Sequence, residues 1–200
     1  IFFLIFKPKV NLKKNFKVQI IRSILMVTAT SFMFYSLQKF DLVDIYVVFF
    51  TAPLIVSLLS ACFLKDILST KGIILMLLSF GSIVYSLGPS MRIFSLDLIF
   101  PIVPPICWAL YQFFTKVVSG DNDPFAAIFY TSILGAIIFS IFISFNWVPL
   151  EKNIFWLYLV ILGVAGFISH SLIIYAIQLS NLSFVTNFQY SQLVWSTIIN

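Results

Sequence analysis

Nearly uncharged apolar runs of about twenty residues recur along this chain, and they restrict its fold more than any other feature. A helix rises about 1.5 Å per residue, so roughly 20 apolar residues cross the hydrocarbon of a bilayer. Segments 18–37, 45–64, 72–88, 97–118, 125–145, 155–179 and 183–200 meet or approach that length, and residues 1–6 read as the tail of another. The connections are short and carry turn chemistry, as at Gly88-Pro89-Ser90, Gly120-Asp121-Asn122-Asp123-Pro124 and Trp147-Val148-Pro149. Only 10% of the residues are charged, against the roughly 25% that a soluble domain carries. The expectation is an all-α integral membrane protein, a polytopic helical bundle of seven spans and a stub.

The spans also repeat. Tyr35-Ser36-Leu37-Gln38 precedes the run 45–64, and Tyr175-Ala176-Ile177-Gln178 precedes the run 183–200. An offset of 140 residues superposes Tyr35 on Tyr175, Gln38 on Gln178 and Leu42 on Leu182. Internal repetition in a polytopic membrane chain points to a transporter, with its site where the two copies meet. Charge supplies the orientation. Alternating the spans puts Lys7, Lys9, Lys13, Lys14, Lys17, Arg22, Lys65, Lys71 and Lys116 on one side, and Lys39, Arg92 and Lys152 on the other. Positive charge marks the cytoplasmic face, so the loop over residues 7–17 is expected inside. Five spans per copy, an odd number, would leave the second copy inverted.

Several motifs fall in a consistent order. Arg22 opens a span that continues through Phe34-Tyr35-Ser36-Leu37 to a turn at Lys39-Phe40-Asp41; Ala52-Pro53-Leu54 then lies mid-span, before Phe63-Leu64-Lys65-Asp66. The second half opens on Cys107-Trp108-Ala109-Leu110-Tyr111 and closes on Phe188-Gln189-Tyr190-Ser191-Gln192-Leu193-Val194-Trp195. This arrangement resembles the EamA-type repeat of the drug/metabolite transporter (DMT) superfamily across the whole chain. Lys65-Asp66 departs from the Gly-Glu usual at that corner of the repeat. The resemblance implies ten spans in inverted five-helix repeats, here residues 1–90 and 91–200. The chain starts at Ile1 without an initiator Met and stops at Asn200 in an apolar run, so it reads as a fragment of such a protein. The resemblance further implies a secondary membrane transporter moving a small metabolite, amino-acid-like or amphipathic, by alternating access. Its expected place is the bacterial cytoplasmic (inner) membrane.

The run from residue 183 is too polar for a simple anchor. Thr186, Gln189, Tyr190, Gln192, Ser196, Thr197 and Asn200 fall within an arc of about 160° at helical spacing. Polar groups in hydrocarbon must face protein or a wet cavity, so this arc either lines a substrate cavity or bonds to neighbouring helices. Shifted back by 140, the arc reads Tyr46, Phe49, Phe50, Ala52, Pro53, Val56, Ser57 and Ser60. A cavity built from both copies would suit a solute with one polar and one flat or apolar end. Pro53 removes a backbone donor and can bend its span. Trp108, Tyr111 and Thr115, with Gln112 beside them, form either an aromatic packing face or further cavity lining. His170, the one histidine, is either a proton-coupling group or a neutral side chain bonded to a neighbouring helix. Tyr35, Gln38, Tyr175 and Gln178 are candidate gates at opposite faces.

Other function classes find little support. The chain offers no Ser/His/Asp set, no paired intramembrane carboxylates and no phosphate-cradling Gly-rich loop, so no enzyme is expected. Cys62 and Cys107 lie in apolar runs without metal-ligand spacing, and neither metal nor cofactor is expected. The expected partners are a small-molecule substrate and the lipid bilayer, with a coupling ion or proton as a candidate and no nucleic acid. A non-transporting structural or accessory membrane subunit is the alternative that the sequence leaves open.

Overall fold

The computed structural model describes residues 15–66, 99–120, 124–145 and 152–192, together with positions 70, 73–74, 77–78, 80–81, 85, 97, 147, 149 and 195. The expected stub over residues 1–6, and most of the expected span 72–88, lie outside the described residues.

Every extended element among the described residues is helical. Helix α1 runs Phe16–Ser36, α2 Leu42–Phe49, α3 Ala52–Leu59, α4 Ile99–Val117, α5 Pro124–Phe145, α6 Asn153–Leu179 and α7 Leu182–Asn187. A wide helical turn, Ser60–Leu64, extends α3, and a tight one, Phe188–Tyr190, extends α7. Among the described residues, four stretches are long and apolar enough to cross a membrane: α1, Asp44–Leu64 (most of α2, then α3 and the wide turn that extends it), Ala126–Phe145 within α5, and α6. Helix α4 is not among them, because Pro101, Pro104, Pro105, Gln112, Thr115 and Lys116 dilute its apolar residues.

Helices are the expected answer to hydrocarbon, since each satisfies its own backbone groups. Hydroxyls follow the same logic. Ser23 donates to the Gln19 carbonyl, Thr30 to Met26, Ser36 to Phe32, Thr131 to Ala127 and Ser171 to Phe167, each one turn back at 2.6–2.9 Å. Helix α1 is inside out by the standards of a soluble protein. Its buried residues are Gln19, Arg22, Ser23, Val27, Ala29 and Ser36, whereas Ile21, Ile24 and Phe34 are exposed. That small and polar face packs along α4 and, less extensively, along α5. Helix α4 also touches α2, α3, α6 and α7, which makes it the hub of the bundle. Most of α6 is exposed and apolar along its length, as a helix facing lipid can be.

Two ties mark the ends of α4. At its start, Lys39 Nζ donates to Asp97 at 2.8 Å, and Tyr35 packs on Phe100 with centroids 4.4 Å apart. The hydrogen bond that it donates to Asp97 holds the pKa of the Lys39 ammonium above its ordinary value. At its finish, Lys116 Nζ donates to the carbonyls of Ile177 at 2.9 Å and Ser180 at 2.7 Å, taking up orphan acceptors at the end of α6. The turn after α1 and the turn after α6 thus lie at opposite ends of α4, about 28 Å apart along a helix of this length.

Local geometry repeats at the 140-residue offset. Helix α2 starts at Leu42 and α7 at Leu182. The residue before each has nearly the same extended conformation: φ −65°, ψ 145° at Asp41 and φ −64°, ψ 137° at Asn181. The regular helix then fails in both places. The span 45–64 breaks at Phe50–Thr51, just ahead of Pro53, whose missing N–H removes the partner that the Phe49 carbonyl would have had. The run 183–200, expected as one helix, changes to the tighter turn at Phe188–Tyr190. At the far end of α3, Lys65 takes the left-handed conformation, φ 55°, where a residue with a Cβ costs about 1–2 kcal/mol. Asp66 accepts a hydrogen bond there from the Ser60 hydroxyl.

Candidate functional site

Trp108, Tyr111, Gln112 and Thr115 occupy successive turns of α4 at spacings of three and four, so they share one face. Tyr111, Gln112 and Thr115 are buried there. Opposite them, α1 presents Gln19 and Arg22. The Arg22 side chain is completely buried, at 0% exposure, and is the largest side chain so enclosed. Its Nε donates to Thr115 Oγ1 at 3.0 Å, its Nη1 donates to Gln19 Oε1, and its guanidinium lies over the Tyr111 ring, 5.0 Å from the centroid. Thr115 in turn donates to the Tyr111 carbonyl at 2.6 Å. Every one of these partners is neutral.

A buried cation without a counterion is expensive. Its effective desolvation penalty is several kcal/mol, and the contacts in place are worth about 1.5–3 kcal/mol per charged hydrogen bond and about 2 for a desolvated cation–π pair. These offset the penalty without leaving a margin. Among the described residues, Arg22 Nη2 also has no hydrogen-bond partner, nor do Gln19 Nε2, Trp108 Nε1 and Gln112 Nε2. Arg22 was counted on sequence with the cytoplasmic charge, at the opening of its span; the structure buries it within α1, and leaving it out gives eight basic residues against three for orientation.

The break between α2 and α3 supplies a second group. Tyr190, in the tight turn after α7, stacks on Phe50 with centroids 6.1 Å apart and donates its hydroxyl to the Phe50 carbonyl at 3.1 Å. Tyr46 packs on Phe50. Phe49 meets Trp108 at 6.2 Å, Trp108 stacks on Tyr111 at 5.5 Å, and the His170 ring stands edge-on to Trp108 at 5.7 Å. Gln189 Nε2 donates to Gln112 Oε1 at 3.0 Å, which joins the α7 extension to the polar face of α4. One continuous chain of contacts therefore runs from Arg22 through Tyr111 and Trp108 to Phe49 and His170.

The candidates read from sequence are placed as follows. Tyr46, Phe49, Phe50, Trp108, Tyr111, His170, Gln189 and Tyr190 are gathered by these contacts. Pro53 is buried at the start of α3, and Thr186 is buried and donates to the Ser183 carbonyl at 3.2 Å. Gln192 is exposed, shortly after the three residues of tight turn. Ser196, Thr197 and Asn200 lie outside the described residues. The sequence reading did not single out Gln19 or assign Arg22 to a site. Their signal was present as a Gln and an Arg three apart, with Ser23 following, inside an otherwise apolar run.

A family model described as the EamA-like transporter family matches residues 1–88 and 96–200. No curated protein matches the chain.

Replacing Tyr190 by Phe keeps the ring stacked on Phe50 and deletes only the hydroxyl. The expected loss is about 0.5–1.5 kcal/mol of stability, read as a lowered unfolding midpoint in detergent; an unchanged midpoint would show that the bond to the Phe50 carbonyl contributes nothing.

Proposed function

Because the chain belongs to the EamA-like transporter family, we propose that it is a secondary carrier moving a small amphipathic or amino-acid-like metabolite across a bacterial cytoplasmic membrane by alternating access. Two halves, residues 1–90 and 91–200, form the moving parts in this reading, as inverted five-helix repeats. The observation that carries it is the pair Phe50 and Tyr190. These residues are equivalent at the 140-residue offset, yet they touch. Equivalent positions meet only near an axis relating the two copies. The turns at the opposite ends of α4, after α1 and after α6, are equivalent as well, which supports an inverted relation between the halves.

Carriers of inverted-repeat design bind solute near the bilayer midplane, at helices whose regular geometry is interrupted. The break at Phe50–Thr51 and the tight turn at Phe188–Tyr190 supply such interruptions at matching places. Between them lie rings from Tyr46, Phe49, Phe50, Trp108, Tyr111 and Tyr190, with amides from Gln112 and Gln189. Flat apolar surface beside neutral hydrogen-bonding groups suits an amphipathic solute. In this reading Pro53 and Thr186 support the lining, and Gln192 and Ser196 continue its polar side. The proposed coupling ion is a proton, with His170 at Trp108 as its carrier, since histidine alone changes charge near neutral pH without perturbation.

Two experiments on the full protein in proteoliposomes test this reading. In a background without Cys62 and Cys107, bridging Phe50→Cys to Tyr190→Cys with a reducible bifunctional thiol reagent is expected to stop solute exchange, which recovers on reduction. Cross-linking that leaves exchange running would contradict alternating access across this junction. His170→Gln is expected to flatten the pH dependence of uptake; an unchanged pH profile would remove His170 from coupling.

A further inference from the structure

We infer that Arg22 and Gln19 form the recognition point for a carboxylate group on the solute, an inference that rests on the carrier reading above. It starts from hydrogen-bond accounting. A guanidinium has donors and no acceptor, so the contact from Arg22 Nη1 obliges Gln19 to present its oxygen, Oε1. The Gln19 amide therefore cannot be turned over, and its Nε2 is a donor. That Nε2 and Arg22 Nη2 both lack partners, in side chains at 0% exposure. They flank the same Arg22–Gln19 hydrogen bond. Trp108 Nε1, which can only donate, is also buried without a partner. Arg22 and Trp108 each lie within 5.5 Å of the Tyr111 ring centre. Gln112 adds a fourth unpartnered atom, in an amide that can face either way.

The vacancies at Arg22, Gln19 and Trp108 call for an acceptor, and the site already holds a net positive charge. Among the described residues, no carboxylate of the protein pairs with Arg22; its partners are Thr115, Gln19 and Tyr111. The nearby cation on α4, Lys116, is occupied by the carbonyls of Ile177 and Ser180. One uncompensated guanidinium matches one negative charge, and two donors on either side of one hydrogen bond match the two oxygens of a carboxylate. A dianionic phosphate would need a second free cation, and the described residues around Arg22 offer none. The Tyr111 ring lies under the guanidinium and carries the Trp108 ring stacked on it, so flat apolar surface adjoins the cation.

The full protein in lipid nanodiscs provides the test, with acetate, isobutyrate and 3-phenylpropionate as probes, each compared with its amide, and with inorganic phosphate as a further probe. Binding is read by calorimetry. Wild type is expected to prefer the carboxylate of at least one pair by about 10- to 100-fold, the worth of one charge-assisted hydrogen bond, and to ignore phosphate. Arg22→Gln is expected to abolish that preference, Arg22→Lys to keep part of it, and Gln19→Leu, which retains the charge, to fall between. Unfolding midpoints without ligand separate lost recognition from lost structure; if Arg22→Gln does not fold, Gln19→Leu and Arg22→Lys decide. Equal binding of acid and amide in all three pairs, preference for phosphate, or a carboxylate preference that is undiminished in the folded variants overturns the inference. Solute exchange in proteoliposomes separates it from its premise. Exchange without carboxylate preference removes this inference alone, whereas carboxylate binding without exchange of any solute removes the carrier reading.

Discussion

Hydrocarbon offers no hydrogen-bond partner to a peptide group or a polar side chain, and the arrangement of this bundle follows from that. Backbone groups are satisfied within helices, and hydroxyls bond one turn back along their own helix. What cannot be satisfied within one helix is brought to another. Gln19 and Arg22 on α1 find Thr115 and Tyr111 on α4, and Gln112 on α4 finds Gln189 beyond α7. The polar interior and the apolar exterior are one consequence stated twice.

Helix α4 collects these interactions because it is the least lipid-like of the long helices. Its prolines and polar residues would be poorly placed against acyl chains, and they are enclosed by α1, α2, α3, α6 and α7 instead. Neighbours packed closely around a proline-bearing helix can compensate for the donors it lacks. The same enclosure produces the aromatic ladder from Tyr111 through Trp108 to Phe49 and His170, so the hub of the bundle and the proposed solute site share residues. Interruptions of regular helix adjoin that hub at Phe50–Thr51 and at Phe188–Tyr190. There, Tyr190 bonds the Phe50 carbonyl beside the break that Pro53 imposes.

Much of the fold was legible in the sequence, because length and apolarity alone delimit a helix in hydrocarbon. Helices α1, α5 and α6 begin and end within about two residues of the limits expected. Pro53 signalled an irregularity, and the structure sets it at Phe50–Thr51. The tight turn at Phe188–Tyr190 gave no such signal, since no proline or glycine marks it. Arg22 was misread for a different reason. A basic residue near the cytoplasmic end of a span looks like a topological charge until its partner is known. That partner, Thr115, lies 93 positions away on another helix, where no local pattern can reveal it.

The central claim is that the chain's two halves are copies set in opposite directions across a membrane, meeting at Phe50 and Tyr190. Labelling with a membrane-impermeant thiol reagent tests it most directly. Lys39→Cys and Asn181→Cys, each alone in a background without Cys62 and Cys107, occupy the corresponding turns of the two copies. The account predicts reaction from opposite faces of the membrane: Lys39→Cys from outside and Asn181→Cys from the cytoplasm. Reaction of both from the same face would contradict it.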